Sequence, residues 1–232
     1  MKALILAGGL GTRISEETIS KPKPMVKIGD LTLIEHIMNI YENSGITEFI
    51  IATGYLHKVI DDFFLGYKKF KVETFFTGEL TQTGGRIKRV FDNYSDSNMC
   101  VTYGDGLGNV NVTETINFHF NHGCLATVTA VQPQARFGRL TIERETVIKF
   151  GEKMRSEDGW VNGGFFVLNR EVRRYINGDD SPFEQEPLVK ITNAGQLKAY
   201  KHYGFWSPVD SLREKQDLEE LWNSGNAPWV TK

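Results

Sequence analysis

The chain has 232 residues, of which 40% are hydrophobic and 24% charged, a balance typical of a soluble globular protein. Its formal net charge of −2 provides no basic field, which argues against nucleic acid or an anionic membrane surface as a partner. No apolar run approaches the roughly 18 residues of a membrane span, and "MKALILAGG" is too short for a signal peptide, so we expect a cytoplasmic protein.

The first half of the sequence alternates short apolar runs with amphipathic segments. The apolar runs predict buried strands and read "KALILAG" (2–8), "EFIIATG", "KVETFF" and "NMCVTYGDG", the last ending at Asp105. The segments between them predict helices in "LTLIEHIMNIYENSG", "HKVIDDFFLGY", "GGRIKRVFDNY" after its paired glycines, and "VTETINFHFNHG" with Thr113 as N-cap. This βαβα order predicts a doubly wound, mostly parallel, Rossmann-like α/β sheet.

The second half predicts a mixed or antiparallel extension of that sheet. Its strands are expected in "ATVTAVQ", "GRLTIE", "VIKFGEK", "VNGGFFVLN" and "LKAYKHYGFW". Helical segments are expected around 170–177 and 183–194, and a last helix after Asp210. Because no Pro-, Gly- or Ser-rich linker divides the chain, we expect a single domain over 1–232.

A glycine-rich loop with positive charge follows the first predicted strand, in "LAGGLGTRISEETISKPKPM". Such a loop can place backbone N–H groups around phosphate, although a tight structural turn is the alternative. A P-loop is excluded because no Lys-Ser or Lys-Thr follows the glycines, and a dinucleotide fingerprint is excluded because Ile14 replaces its third glycine. Arg13 and the Lys21-Pro-Lys23-Pro run favour a polyphosphate ligand, because the prolines fix where the Lys23 ammonium points.

The motifs "LAGGLGTR", "KPKPM" and "YGDG" together resemble the sugar-phosphate nucleotidyltransferase family, and the N-terminal stretch is especially similar to its glucose-1-phosphate cytidylyltransferase branch. The motifs "TGGRIKRV", "NGGFFVLN", "FEQEPL" and "GFWSPVDSL" recur in matching order over nearly the whole chain. The resemblance implies a nucleotide-binding part (1–122) and an acceptor-binding part (123–232). It also implies transfer of CMP from CTP to the phosphate of a small acceptor, with Mg²⁺ and release of pyrophosphate.

The resemblance implies a role for each matching residue. Arg13, Lys23 and Asp105 would be catalytic, and Asp105 and Asp210 would bind Mg²⁺. The nucleotide-binding positions would be Leu6, Ala7, Gly8, Gly9, Gly11, Thr12, Arg13, Lys23, Gln82, Thr83, Gly84, Gly85 and Gly104. The acceptor-binding positions would be Lys153, Asn162, Gly163, Gly164 and Glu186, and Arg139, where the sequence departs from the family, is a further acceptor-binding candidate.

The residue types agree with this chemistry. Nucleotidyl transfer needs positioning and neutralisation of charge, and Mg²⁺ prefers one or two carboxylates together with phosphate oxygens and water. Asp105 is expected at the carboxyl end of a central strand, where open α/β sheets bind ligands, with a turn-forming role as its alternative. Asp210 has the alternative role of N-cap of the last helix. The five histidines show no metal-ligand spacing, so we expect them at the surface or an interface.

Three departures from the branch bear on the acceptor and the assembly. Only five residues separate Phe76 from Gln82, where the glucose enzymes carry a longer insertion, and Met154 stands where the family usually has proline. Arg139 replaces a small residue, and a guanidinium there would suit an acceptor with a further anionic group.

We therefore expect a sugar 1-phosphate such as glucose 1-phosphate as acceptor, with phosphoglutamine for capsule modification as the alternative. UTP and dTTP are not excluded by the residues alone, and a homo-oligomer is left open. A regulatory homologue that binds nucleotide without activity is the alternative from another class. Retention of Lys23, Asp105 and Asp210 argues against it.

Overall fold

The structure is a computed structural model that describes residues 1–11, 14–133, 139–151 and 159–230. The strands of its first half are β1 (Ala3–Ala7), β2 (Lys27–Ile28), β3 (Leu31–Thr32), β4 (Glu48–Thr53), β5 (Lys71–Phe76), β6 (Asn98–Tyr103) and β7 (Gly106–Gly108). The helices of the same half are α1 (Ser15–Thr18), α2 (Leu33–Glu42), α3 (His57–Phe64), α4 (Thr83–Asn93) and α5 (Val112–His122), with a 3₁₀ turn over Lys23–Met25. Strands and helices therefore alternate as the sequence predicts.

The second half adds six strands and two helices. The strands are β8 (Ala126–Val131), β9 (Arg139–Glu143), β10 (Thr146–Gly151), β11 (Val161–Asn169), β12 (Leu197–His202) and β13 (Trp206–Pro208). A 3₁₀ segment (Arg170–Tyr175) follows β11, and the helices are α6 (Glu186–Asn193) and α7 (Leu212–Asn223). The described helices include none that is long and apolar enough to cross a bilayer.

One seven-stranded sheet joins the two halves, in the order β12-β8-β11-β6-β1-β4-β5. Strand β1 pairs in parallel with β4 and β6, and β4 pairs in parallel with β5. Strand β11 runs antiparallel to β6 and β8, and β12 returns parallel to β8. The expected doubly wound, mostly parallel sheet with a mixed extension is confirmed.

Helices cover both faces of this sheet, which explains why its central strands read as continuous apolar runs. All five residues of β1 are buried. The face that carries Ile5 and Phe165 packs against α2, and the face that carries Leu4 and Phe166 packs against α4. The carboxyl ends of β1, β4 and β6 thus open at one edge of the sheet, where the polar residues of the site collect.

Three helix starts differ from the sequence expectation. The N-cap of α5 is Asn111 instead of Thr113, because the Asn111 side chain accepts the Glu114 amide. The N-cap of α7 is Ser211, so Asp210 does not cap that helix. Helix α4 starts at Thr83, so its paired glycines lie in its first turn, where they pack closely against residues 179–181.

Three histidines differ from expectation too. His36, His119 and His202 are buried, whereas the absence of metal-ligand spacing suggested surface or interface positions. The ring of His36 hydrogen bonds to the carbonyl of Ile28, and His119 bonds to the Thr127 hydroxyl. Each is therefore a hydrogen-bonded interior residue.

Candidate active site

A cavity of about 280 Å³ opens at the carboxyl ends of β1 and β6. Its walls come from the loop after β1, the 3₁₀ turn, the start of α4, the end of β6 and the segment before α7. The lining residues are Leu6, Ala7, Gly8, Gly9, Gly11, Lys23, Pro24, Thr81, Gln82, Thr83, Arg86, Tyr103, Gly104, Asp105 and Asp210. Most of the positions implied for nucleotide binding thus meet in one cavity, although their roles stay predictions.

The loop after β1 needs glycine for two different reasons. Gly11 has a φ of +66°, which side-chain-bearing residues rarely adopt. A Cβ at Gly8 would lie 2.2 Å from Cζ of Arg86, so the loop can approach that guanidinium only without a side chain. At Gly9, in contrast, no atom of the described residues lies within 4 Å of the Cβ position, which leaves room for a ligand next to the backbone.

Lys23 lies between the two aspartates in the wall of this cavity. Its Nζ donates to Oδ2 of Asp105 at 2.7 Å and to Oδ1 of Asp210 at 2.6 Å. Its side chain is 12% exposed. Burial disfavours the charged ammonium, but the two carboxylates outweigh it and raise the pKa of Lys23 above its ordinary value. Lys23 is therefore held as a cation between two anions.

A short strand pair explains why two aspartates so distant in sequence converge. Asp105 directly precedes β7, Asp210 follows β13, and the two strands are antiparallel with Pro208 opposite Gly106. The amide of Val209 also donates to the carbonyl of Asp105 at 2.9 Å. The carboxylates are thus fixed on adjacent backbone segments.

The two carboxylates fit a divalent cation by their chemistry. They already converge on one positive group, the Lys23 ammonium, which marks where a cation is held. Within the described residues no cluster of three or more His, Cys, Asp or Glu side chains could hold a metal. A Mg²⁺ ion bound by Asp105 and Asp210 would take its remaining ligands from phosphate oxygens and water, which is its usual arrangement.

Arg86 is a buried site residue that the sequence analysis did not identify. Its terminal nitrogens donate to the carbonyls of Gly8 and Thr53 at 2.9 Å each, and to the Thr77 hydroxyl at 2.6 Å. Burial is the main cause that lowers the pKa of Arg86, to about 10, yet it stays charged near pH 7. The guanidinium therefore ties the glycine loop to the ends of β4 and β5. The family motif "TGGRIKRV" contains Arg86, and this was the sequence signal from which Arg86 could have been identified.

Tyr103, Glu184, Thr83 and Asn162 form a second polar network beside the cavity. The Tyr103 hydroxyl donates to Oε1 of Glu184 and accepts from Nδ2 of Asn162 at 3.1 Å. The Thr83 hydroxyl donates to the other Glu184 oxygen at 2.7 Å. Glu184 therefore connects the start of α4 to β11, and sequence analysis missed it although it lies in "FEQEPL".

The glycines of "NGG" allow β11 to approach its neighbours. Gly164 has a φ of +78°, and a Cβ there would lie 2.6 Å from the Tyr103 ring. The carbonyl of Gly163 accepts from Nε1 of Trp206 at 2.8 Å, which fixes β11 against β13. Asn162 and Gly163 thus lie next to the cavity wall formed by Tyr103.

Some residues that were predicted for the site do not line the cavity or lie outside the described residues. Glu186 pairs with Nζ of Lys190 at 2.7 Å and accepts from Nδ2 of Asn177, with no contact to the Tyr103–Glu184 network. Gly84 and Gly85 pack against residues 179–181 instead of lining the cavity. Arg139 is the first residue of β9. Thr12, Arg13 and Lys153 lie outside the described residues, so all of these roles stay predictions.

Comparisons with known proteins agree with the geometry. A family model described as "Nucleotidyl transferase" matches residues 2–212. Glucose-1-phosphate cytidylyltransferase of Salmonella typhi is 44% identical over 255 aligned residues, which cover 100% of this chain and 99% of that protein. A probable glucose-1-phosphate cytidylyltransferase of Bacillus subtilis is 38% identical, with 99% of both chains covered.

A solved structure of HddC from Yersinia pseudotuberculosis superposes with a TM-score of 0.77 at 25% identity, covering 95% of this chain and 99% of that chain. The same protein in complex with GMP-PN gives the same TM-score at 26% identity. From the matched model, the full-length relatives and the shared fold, we conclude that this chain belongs to the nucleotidyl transferase family.

Proposed function

We propose that this chain is a cytidylyltransferase that transfers CMP from CTP to a sugar 1-phosphate such as glucose 1-phosphate and releases pyrophosphate. The observation that carries the proposal is the convergence of the glycine loop, Lys23 and the carboxylates of Asp105 and Asp210 on one cavity. The choice of CTP and glucose 1-phosphate follows the named relatives, which align over the full length of this chain.

In this proposal the loop after β1 binds the triphosphate. Its backbone N–H groups and the charge of Lys23 meet phosphate oxygens, and Arg13 adds a second cation. Arg86 acts from behind the loop, because its bond to the Gly8 carbonyl fixes the course of the backbone there. Gln82 and Thr83, at the start of α4, lie in the cavity wall where the base would be read.

Asp105 and Asp210 would hold the Mg²⁺ ion. The ion supplies neutralisation of phosphate charge when it is bound. The transfer then requires in-line displacement: an acceptor phosphate oxygen bonds to the α-phosphorus, and the bond from that phosphorus to the oxygen of the β-phosphate breaks. Pyrophosphate leaves with the bonding electron pair, and Lys23 stabilises the charge that develops on it.

The acceptor is proposed to lie against Tyr103, Asn162 and Glu184. An exposed carboxylate at this position accepts hydrogen bonds from neutral hydroxyl groups and repels a carboxylate. This arrangement favours a sugar 1-phosphate over phosphoglutamine. Lys153 would bind the acceptor phosphate, and Arg139 would add a further donor for the acceptor.

The same proposal includes a cellular location and a place in a reaction sequence. A nucleotide-activated sugar is a donor for glycosyl transfer, so we place this chain in the cytoplasm, upstream of capsule or polysaccharide synthesis. The alignment with the Salmonella protein spans 255 residues against the 232 of this chain, so that relative contains residues which this chain lacks. Whether this chain assembles into a homo-oligomer is best measured directly by light scattering.

A substrate matrix tests the proposal. The purified chain with Mg²⁺ is assayed for pyrophosphate release with each of four NTPs against glucose 1-phosphate, other sugar 1-phosphates and phosphoglutamine. We expect the highest kcat/KM for CTP with glucose 1-phosphate. A higher kcat/KM with phosphoglutamine would transfer the proposal to that acceptor, and acceptor-dependent release with none of the pairs would contradict it.

A further inference from the structure

Resting on the proposed function, we infer that Lys23 acts as a built-in counter-cation of the Asp105–Asp210 pair and competes with the divalent metal for the same carboxylate oxygens. The metal would then bind weakly until nucleotide phosphates draw Lys23 away. Lys23 would thereby couple metal binding to nucleotide binding, a role additional to its contact with phosphate.

The contacts of Lys23 support direct competition. Its Nζ lies 2.7 Å from Asp105 and 2.6 Å from Asp210, so one ammonium is bonded to both carboxylates. These bonds take one oxygen of each carboxylate, and the aspartate side chains are 32% and 21% exposed, so a second cation on this pair would bind directly beside the ammonium. A metal that takes both carboxylates must therefore displace the ammonium or share its ligands against charge repulsion.

The backbone around Lys23 is preorganised for this contact. Pro22 and Pro24 flank it, and the 3₁₀ turn is closed by bonds from the Met25 amide to the Pro22 carbonyl and from the Val26 amide to the Lys23 carbonyl. Pro24 also packs so closely on Gly104 that a Cβ there would lie 2.5 Å from its ring. The turn that carries Lys23 is thus fixed against the residue that precedes Asp105.

The protein itself offers a metal ion few ligands at this site. Two carboxylates give Mg²⁺ few of the six oxygen ligands it requires, and the described residues hold no cluster of three candidate ligands. Triphosphate oxygens complete the metal's coordination and give Lys23 a new anionic partner. Both changes favour the state in which metal and nucleotide are bound together. Binding of either one must therefore raise the affinity of the protein for the other.

The test measures binding of Mn²⁺, a paramagnetic substitute for Mg²⁺, to the purified full chain without nucleotide. Free Mn²⁺ is followed by electron paramagnetic resonance in the wild type, in Lys23→Met and in Lys21→Met. Lys21 is the matched control, because it lies in the preceding Lys-Pro pair and bonds to Glu17 instead. We expect Lys23→Met to bind Mn²⁺ about tenfold or more tightly than the wild type, and Lys21→Met to match the wild type.

Two further readouts keep the test decisive. Mn²⁺ should raise the unfolding temperature of Lys23→Met more than that of the wild type, because the ion replaces the lost ammonium beside the two carboxylates. If Lys23→Met does not fold, Lys23→Gln is measured in its place. A non-hydrolysable CTP analogue should raise Mn²⁺ affinity more in the wild type than in the Lys23 variant.

Equal Mn²⁺ affinity in the wild type and Lys23→Met would overturn the inference, as would an equal gain in Lys21→Met. These outcomes are separable from failure of the proposed function. Absence of pyrophosphate release in the substrate matrix would contradict the enzyme activity, whereas the Mn²⁺ titration without nucleotide reports only on the Lys23–carboxylate contact.

Discussion

At the scale of single residues, two glutamates in "FEQEPL" show how neighbouring positions differ in chemistry. Glu184 accepts from Tyr103 and Thr83 beside the cavity, whereas Glu186 bonds to Lys190 and Asn177 on the outer side of α6. The resemblance to the family assigned the acceptor role to Glu186. We propose Glu184 for that role, because it is the glutamate connected to Asn162 through Tyr103.

We predict that Glu184→Gln lowers kcat/KM for glucose 1-phosphate by about 10- to 100-fold, because an amide is a weaker acceptor of hydroxyl hydrogen bonds than a carboxylate. Steady-state kinetics of Glu184→Gln and Glu186→Gln, measured side by side, provide the comparison. We expect the smaller loss in Glu186→Gln, since an exposed ion pair within a helix contributes little. The reverse order would return the acceptor role to Glu186.

At the scale of elements, helix α4 owes its position to two glycines in its first turn. A Cβ at Gly84 would lie 2.5 Å from the Ser181 carbonyl, and one at Gly85 would lie 2.7 Å from Cα of Asp179. The amide of Gly84 donates to that same Ser181 carbonyl at 3.0 Å. Close approach of these backbones thereby places Thr83 within reach of Glu184.

We predict that Gly84→Ala lowers the free energy of unfolding by about 1–3 kcal/mol, because the methyl group forces α4 away from residues 179–181. Gly178→Ala is the matched control: no atom in the described part of the chain lies within 4 Å of its Cβ position, so a change of about 0.5 kcal/mol or less is expected. Urea denaturation of both variants measures the difference. Equal stability of the two variants would show that α4 can shift without cost.

At the scale of the whole molecule, a buried histidine links stability to pH. His119 on α5 is 3% exposed, and its ring bonds to Thr127 on β8, beside His122. Burial, with a smaller contribution from His122, lowers the pKa of His119 to about 4. The unfolded chain takes up this proton near pH 6.5, so the contribution of His119 is fully present above that pH and is lost as the pH falls toward 4.

We predict that His119→Gln reduces the loss of stability between pH 7.5 and pH 5 by about 1–2 kcal/mol, because glutamine does not titrate. Urea denaturation at both pH values gives the difference between wild type and variant. An unchanged loss in His119→Gln would mean that the ring takes up its proton as readily in the folded state.

The class of the fold and the location of the glycine-rich loop after β1 follow from local residue patterns. Apolar runs such as Ala3–Ala7 are buried on both faces of the strand, and that pattern is local in the sequence. The strands, the helices between them and the loop after β1 can therefore be predicted from their own residues. The motif "YGDG" likewise predicts an aspartate after a central strand, because parallel strands end at one sheet edge.

Which polar groups meet depends on the packing of distant segments of the chain. The pairing of β7 with β13 brings Asp105 and Asp210 to one ammonium, the approach of residues 179–181 brings Glu184 to Thr83, and burial turns Arg86 and His119 into interior residues. These contacts join residues far apart in the chain. Hydrogen bonding and burial depend on distance in space, which local periodicity and motif spacing do not encode.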